Sequence, residues 1–472
     1  MSENNYSNQF LKKYNKSSSG FGGDEDEEDN LECCNIESDN KIQSFNVTNH
    51  DKNTNNDKKC INYFCLNLNQ FIFIVNVLTT TIGVGVFEFP YILYEIGVFN
   101  SLFIFIFLSI SVYYSLDLLR RFVVDSKLFS YSIITKTTLG DCWLRIYAIS
   151  TIIFYMSNIV NTLRLMFKTA NSMMGLSDND SLLKMVFFLS TGLLEILLCL
   201  LTCKLSKLYI FSFCSFGISI ILLFTVIIKG IIFLSTEDDK FRYFSFFDLK
   251  NSSTGWDNFL LIMSKIIEFF YGYISHSTYP SLLSQLDNIS KEYTEKVLNI
   301  SYGAIFIYYL LFSFFGLFCI NDKNEGQKEL FINEIDLKDN NILLIIFKSI
   351  LIIYFLSCVP LRYIVIRDNY TSLVGKESLP IKIEIIITSV CFIIINLIIY
   401  YFVDDTTFIS HLILIFGGIF GVFLCFVLPI ISYIAINGKT KIRSIIGYII
   451  AGIFILIGFF SLLYNFQNKD NI

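Results

Sequence analysis

Two stretches of this sequence put helix-breaking residues where a helix should be most regular. The first reads Thr79-Thr80-Thr81-Ile82-Gly83-Val84-Gly85-Val86-Phe87-Glu88-Phe89-Pro90, and the second Phe270-Tyr271-Gly272-Tyr273-Ile274-Ser275-His276-Ser277-Thr278-Tyr279-Pro280. Glycine lowers helix stability by about 1 kcal/mol relative to alanine, and proline by about 3 kcal/mol. Two glycines within three residues, followed five positions later by a proline, predict that the helix stops and restarts. An interruption inside an apolar run leaves backbone N–H and C=O groups without partners, and those groups can hold a polar solute. Two titratable side chains lie beside the breaks. Glu88 is an acid at membrane depth, where it costs about 2.5–3.5 kcal/mol, so it is read first as functional. It can take up a coupling proton or offset positive charge on a bound solute; the structural alternatives are an ion pair with Arg164 or exposure to an outer vestibule. His276 can hydrogen-bond a solute or take up a proton. Equally, it can be a neutral imidazole satisfied by a carbonyl freed at the break.

The elements that position these residues are membrane spans. Of 472 residues, 54% are hydrophobic and 16% charged, against about 45–50% and 25% in soluble domains. The missing charge is the stronger signal, because a soluble chain of this size needs charge to cover its surface. Runs of the roughly 20 apolar residues that cross hydrocarbon occur near 70–92, 99–119, 144–167, 182–203, 208–234, 257–281, 297–320, 341–361, 382–403, 408–436 and 444–466. An all-α integral membrane protein with eleven transmembrane helices follows, since lipid offers open strand edges no partner. The net charge of −5 gives no reason to expect nucleic-acid binding. With no catalytic constellation and no phosphate loop, no enzyme is expected, and no cofactor. The twelve cysteines are scattered without metal-ligand spacing.

Lys and Arg in short loops set the orientation. With the N-terminus in the cytoplasm, the inner loops hold Arg120, Arg121, Lys127 and Lys136, then Lys204 and Lys207, Lys291 and Lys296, Arg362, Arg367 and Lys376, and Lys439, Lys441 and Arg443. Outer loops are acidic, as at Glu237–Asp239, Asp322–Asp339 and Asp404–Asp405. Residues 1–69, with the acidic run Asp24–Asp29, are expected to form a disordered cytoplasmic tail, open to a cytoplasmic partner. Residues 70–466 would form the eleven-helix membrane domain, and 467–472 a short non-cytoplasmic end. Of the acceptor sequons, Asn251 would face outward, while Asn46, Asn288 and Asn369 would be cytoplasmic. A multi-pass protein of the plasma membrane or a vacuolar or lysosome-like membrane, acting as a monomer, fits this layout.

The interrupted spans are the first and the sixth, five apart. Two broken helices in corresponding positions of two five-helix halves point to an inverted-repeat transporter with a midplane site. Isolated glycine and proline kinks are the plainer alternative, but they leave the matched spacing unexplained. The residues around the breaks also resemble a family. Ile82-Gly83-Val84-Gly85-Val86-Phe87-Glu88-Phe89-Pro90-Tyr91, followed by Gly97, resembles the first-helix motif of amino acid/auxin permeases. Phe270–Asp287 is similar to that family's sixth helix, with His276, Pro280 and Asp287 in register. Tyr308 or Tyr309 with Gly316-Leu317-Phe318 is similar to its seventh, Val359-Pro360 ahead of Arg367 to its eighth, and Leu414–Tyr433 with Gly417, Gly418 and Pro429 to its tenth.

The resemblance implies a LeuT-like 5+5 inverted repeat with discontinuous helices 1 and 6, and an amino acid bound between them. A physical reason stands beside it. Restarting helix 1 after Gly83–Gly85 would free the N–H groups of Val86 to Phe89 for a carboxylate. Carbonyls at the end of helix 1a and near Tyr271 and Gly272 would accept from an ammonium group. The expected substrate-binding residues are therefore Gly83, Val84, Gly85, Val86, Phe87, Tyr271, Gly272, Ser275 and His276, with Tyr273 and the facing part of helix 3, Tyr155 to Asn158, tuning selectivity. Sodium-coupled relatives have Asn where this chain has Thr79, and proton-coupled relatives often have Asn at the position of Thr81. Ion coupling is placed on Glu88, Thr79, Thr81 and Ser357, with sodium at Thr79 and Ser357 as one option and protons slightly favoured. Lys265 and Glu268, three apart, can pair on one helix face, and Lys348 can reach towards the outer interface. The expected function is a secondary active amino acid transporter; the rival is a transporter-like sensor that binds its solute and signals without flux.

Overall fold

A computed structural model of the protein describes residues 67–174, 181–201, 208–236, 255–320, 341–375, 380–402, 414–437 and 442–467. The polar tail, the acidic outer loops, Asn46, Asn251 and the last five residues lie outside that set. Among the described residues every regular element is helical. In chain order these are α1 (Leu68–Thr81), a 3-10 turn over Val84–Glu88, α2 (Phe89–Ile96), α3 (Val98–Ser126), α4 (Tyr131–Leu139), α5 (Asp141–Met174), α6 (Ser181–Leu201) and α7 (Leu208–Thr236). There follow α8 (Gly255–Tyr271), α9 (Tyr279–Leu283), α10 (Lys291–Leu317), α11 (Asn341–Val374) and α12 (Ile381–Phe402). The last two are α13 (Leu414–Ile436) and α14 (Ile442–Gln467).

Each of the eleven apolar runs holds a helix or an interrupted pair of helices. By length and apolar character, eight described helices reach across a membrane, and the pair α1 and α2, bent by 55°, makes a ninth. The eleven-span count goes beyond that number by the shorter α6 and by the interrupted pair α8 and α9. Residues such as Phe103, Ile110, Leu189, Leu193 and Ile386 are exposed. In water such a belt would drive association; facing lipid, it is the expected surface.

Several boundaries differ from the sequence reading, and each difference has a cause. Span 8 does not end at residue 361: α11 runs through Pro360 to Val374. Proline removes one hydrogen bond from the ladder, which a packed membrane helix tolerates, and α11 lies along α5 and α7. Arg362 and Arg367 are thus helical residues rather than loop charges. Arg120 and Arg121 also belong to a helix, α3. Arg120 is fully buried and bonds Asp117 at 2.9 Å, the Lys291 carbonyl at 2.7 Å and Glu295 at 3.2 Å. Lys348 is 5% exposed and reaches towards the end of α5, donating at 2.6 Å to Ser172, two residues before Met174. Asn369 is buried in α11 and donates to the Val365 carbonyl at 2.8 Å.

Candidate functional site

The first break forms where the glycines are. α1 ends at Thr81, Gly83 is extended (φ −109°, ψ −161°), and the chain tightens into the 3-10 turn before α2 begins at Phe89. A 3-10 turn closes bonds from residue i to i−3, so its first bond engages Val86. The N–H groups of Val84 and Gly85 then have no acceptor inside the turn, two residues earlier than the expected Val86 to Phe89. At the other side of the break, the carbonyls expected to face an ammonium group are taken. The Tyr309 hydroxyl lies 2.9 Å from the Thr81 carbonyl, and Tyr354 donates to the Ile82 carbonyl at 3.0 Å.

The second break is longer than expected. α8 stops at Tyr271, and regular helix resumes only at Tyr279. The two unwound segments touch. A Cβ placed on Gly85 would lie 3.3 Å from the Gly272 Cα, and one placed on Gly272 would lie 2.6 Å from the Phe89 ring. At Gly85 backbone approaches backbone, whereas at Gly272 a side chain would have to displace the Phe89 ring. α13 closes in from the third side through Gly417 and Gly421, where an added Cβ would meet Tyr271 at 3.1 Å and Ile274 at 2.7 Å. This part of α13, over Gly417–Gly421 and Phe423–Val427, is wound as a π-helix, a form often found at functional sites.

Three cavities lead to the contact between the breaks. A vestibule of about 530 Å³ is lined by α1, α9 and α11, among others, and includes Asn69, Asn76, Ser281 and Asn369. A small cavity beyond it borders Thr79, Tyr155, Thr278, Cys358, Leu361 and Arg362. The innermost borders Thr81, Gly83, Gly85, Tyr155, Asn158, Tyr271, Gly272, Ile274 and Arg362. Each inner cavity has room for about one water. Thr80 borders all three, so the vestibule meets the broken helix at its side chain.

The structure thus brings together Gly83, Gly85, Tyr155, Asn158, Tyr271, Gly272 and Thr81 at one cavity. Val84, Val86 and Phe87 are buried beside it in the core, with Phe87 stacked edge-on against Phe312 at 5.6 Å and Tyr354 at 6.1 Å. Ser275 turns away to the Tyr302 hydroxyl at 2.8 Å. His276 is fully buried and does not border the cavity. Neither of its ring nitrogens bonds a described residue, so the carbonyl partner considered for it is not found among them. Thr79 Oγ1 bonds the carbonyls of Val75 at 3.0 Å and Asn76 at 3.1 Å. Ser357 pairs with Ser215 of α7 at 2.6 Å and borders neither inner cavity.

Glu88 is half-buried at the end of the 3-10 turn, with Asn161 and Arg164 of α5 and Lys265 and Glu268 of α8 as its electrostatic neighbours. Lys265 bridges Glu268 at 2.8 Å, as the spacing predicts, and also Glu95 at 2.6 Å. Glu88 therefore belongs to a mixed-charge cluster that joins the half of span 1 after the break to spans 3 and 6. It does not border the inner cavities.

The sequence reading missed Arg362. This guanidinium is 8% exposed, donates to Thr162 Oγ1 at 3.1 Å, and lies so close to Gly83 that any side chain there would collide with it. Thr162 in turn donates to the Asn158 carbonyl at 2.7 Å. A buried charge without a counter-ion costs several kcal/mol, and among the described residues no carboxylate pairs with Arg362. Its electrostatic neighbours include the hydroxyls of Tyr155, Tyr271, Tyr309 and Tyr354 and the thiol of Cys358. Ending span 8 near Pro360 concealed it, because a loop arginine needs no explanation and a buried one does.

Comparison with known proteins agrees with this geometry. Residues 69–468 match a family described as transmembrane amino acid transporter protein. Among solved structures, a Na+-coupled sialic acid symporter in a substrate-bound outward-open state is similar at 12% identity. The match covers 85% of this chain and 90% of that one, with a TM-score of 0.51. A manganese transporter of Eremococcus coleocola is similar at 13% identity, over 85% of this chain and 87% of that one, with a TM-score of 0.54. No curated protein is significantly similar in sequence. The fold is LeuT-like, with discontinuous helices 1 and 6.

Proposed function

The chain belongs to the transmembrane amino acid transporter family, and from that premise we propose that it is a secondary active carrier moving amino acids by alternating access. One observation supports this reading above the others: the two unwound segments touch at Gly85 and Gly272 beside a cavity that leads to a vestibule. The N–H groups of Val84 and Gly85 start a helical turn and suit an α-carboxylate. The hydroxyls of Tyr155 and Tyr271, the Asn158 side chain and the remaining carbonyls at the breaks receive the ammonium group. The inner cavities are too small for an amino acid as they stand, so loading requires the broken segments to separate, which is the motion an alternating-access cycle uses.

Coupling is assigned to a proton on Glu88. That carboxyl connects α2 to α5 and α8 through charge, so adding or removing its proton changes the attraction between elements that must part. Thr79 and Ser357, the sodium alternative, border no common cavity.

Purified protein in proteoliposomes tests the reading. With an imposed pH or sodium gradient, at least one of the twenty amino acids should accumulate above its equilibrium level. Binding without accumulation or exchange would favour the sensor; neither binding nor flux would end the proposal.

A further inference from the structure

Among the described residues, the buried cations Lys265 and Arg120 have carboxylate partners. Lys265 is held by Glu95 and Glu268, and Arg120 by Asp117 and Glu295. Arg362 is held by a threonine hydroxyl instead. Lys348 also bonds a hydroxyl, but it borders none of the three cavities. Arg362 borders both inner ones. A solute moving from the vestibule towards the breaks meets the guanidinium on the way.

The inner cavities have no acidic residue in their described walls. The vestibule wall has one, Asp368, and it is paired with Arg367 at 3.6 Å. Positive charge is therefore in excess where the solute would rest: the guanidinium of Arg362 borders both inner cavities, and the Gly85 backbone, whose N–H has no acceptor inside the turn, borders the innermost. A neutral zwitterion has one carboxylate and can answer only one of them. A dicarboxylic amino acid answers both, and its net charge of minus one cancels that of Arg362. A cationic substrate would add like charge in a buried space.

We propose that Arg362 receives the side-chain carboxylate of the substrate, which makes the carrier selective for acidic amino acids. The proposal rests on the amino acid carrier reading and adds the substrate class to it. Arg362 suits the task because its fork of donors is planar and permanently charged.

Isosteric substrates provide the test. Aspartate and asparagine, and glutamate and glutamine, differ in little but charge. Uptake into proteoliposomes of wild-type protein should favour at least one acid over its amide by about tenfold or more. Arg362→Gln should abolish that preference while keeping measurable uptake or exchange of the amide, and Arg362→Lys should keep part of it. Equal uptake of acid and amide by the wild type would overturn the proposal, and would mean that guanidinium and backbone share a single α-carboxylate. An unchanged ratio in Arg362→Gln would overturn it too. If Arg362→Gln does not fold, the wild-type ratio decides. If no amino acid of any class is taken up or exchanged, it is the carrier reading that fails.

Discussion

Tyr309 places its hydroxyl 2.5 Å from the carbonyl oxygen of Gly272 and 2.9 Å from that of Thr81. One proton serves two acceptors, and the acceptors belong to the ends of two different broken helices. Span 7 thereby ties the breaks of spans 1 and 6 together. Tyr309→Phe leaves both carbonyls dry and unpaired, a cost of about 1–3 kcal/mol for a buried acceptor. The variant should melt several degrees lower in detergent and transport more slowly, although the phenyl ring still fills the space against Phe89. A melting temperature and uptake rate equal to wild type would show that the tie does nothing.

Gly272 lies against the Phe89 ring, with 2.6 Å between the ring and any added Cβ. Gly272→Ala must push the ring aside, and overpacking of this kind costs about 1–3 kcal/mol. Shortening the neighbour should relieve it. The double variant Gly272→Ala with Phe89→Leu is expected to recover stability that the single variant loses, as measured by thermal melting and by the yield of monodisperse protein. Additive losses would mean that Gly272 is required for its backbone conformation rather than for space.

The sequence made much of this site legible because its signals are local. Gly83 and Gly85 ahead of Pro90, and Gly272 ahead of Pro280, mark breaks because the breakers fall together, whereas single glycines such as Gly217 and Gly303 sit in unbroken helices; the five-span separation pairs the two breaks. What remained hidden depends on contacts between distant segments. Tyr309 and Tyr354 fill carbonyls that looked free, and nothing near Thr81 in sequence announces a hydroxyl from span 7 or span 8. Arg362 was hidden for a different reason. Pro360, followed by Arg362, Arg367 and Asp368, looks like the end of a helix, and packing of α11 along α5 accompanies its continuation to Val374. The 3-10 turn moved the free N–H groups by two residues, a shift that composition cannot specify.

Glu88 is the only carboxylate on the 3-10 turn, and its neighbours Arg164, Lys265 and Glu268 sit on spans 3 and 6. Glu88→Gln keeps the size and polarity of the side chain and removes the exchangeable charge. Uptake driven by a pH gradient should fall to background, while exchange of internal for external substrate at zero gradient continues. Surface expression should match wild type. Gradient-driven uptake with an unchanged pH profile would take the proton role away from Glu88 and leave it a structural member of the cluster.

The vestibule gives the orientation a direct test. The vestibule wall includes Asn69, which bonds Asp287 at 2.6 Å, and the segments that the positive-inside pattern places on that side are tied by Lys127 to the Ile289 carbonyl at 3.3 Å, Lys291 to Asp125 at 2.9 Å and Tyr114 to the Arg443 carbonyl at 2.6 Å. Basic residues collect on the cytoplasmic side of membrane proteins, so the vestibule should open to the cytoplasm. Ser281 is half-buried in its wall. In a cysteine-free background, Ser281→Cys should react with a membrane-impermeant thiol reagent in inside-out vesicles and resist it in sealed right-side-out cells. Substrate on the far side, by drawing the carrier towards its other conformation, should slow that reaction. Labelling from the outside alone would invert the assigned topology, and with it the direction in which Arg362 meets an incoming solute.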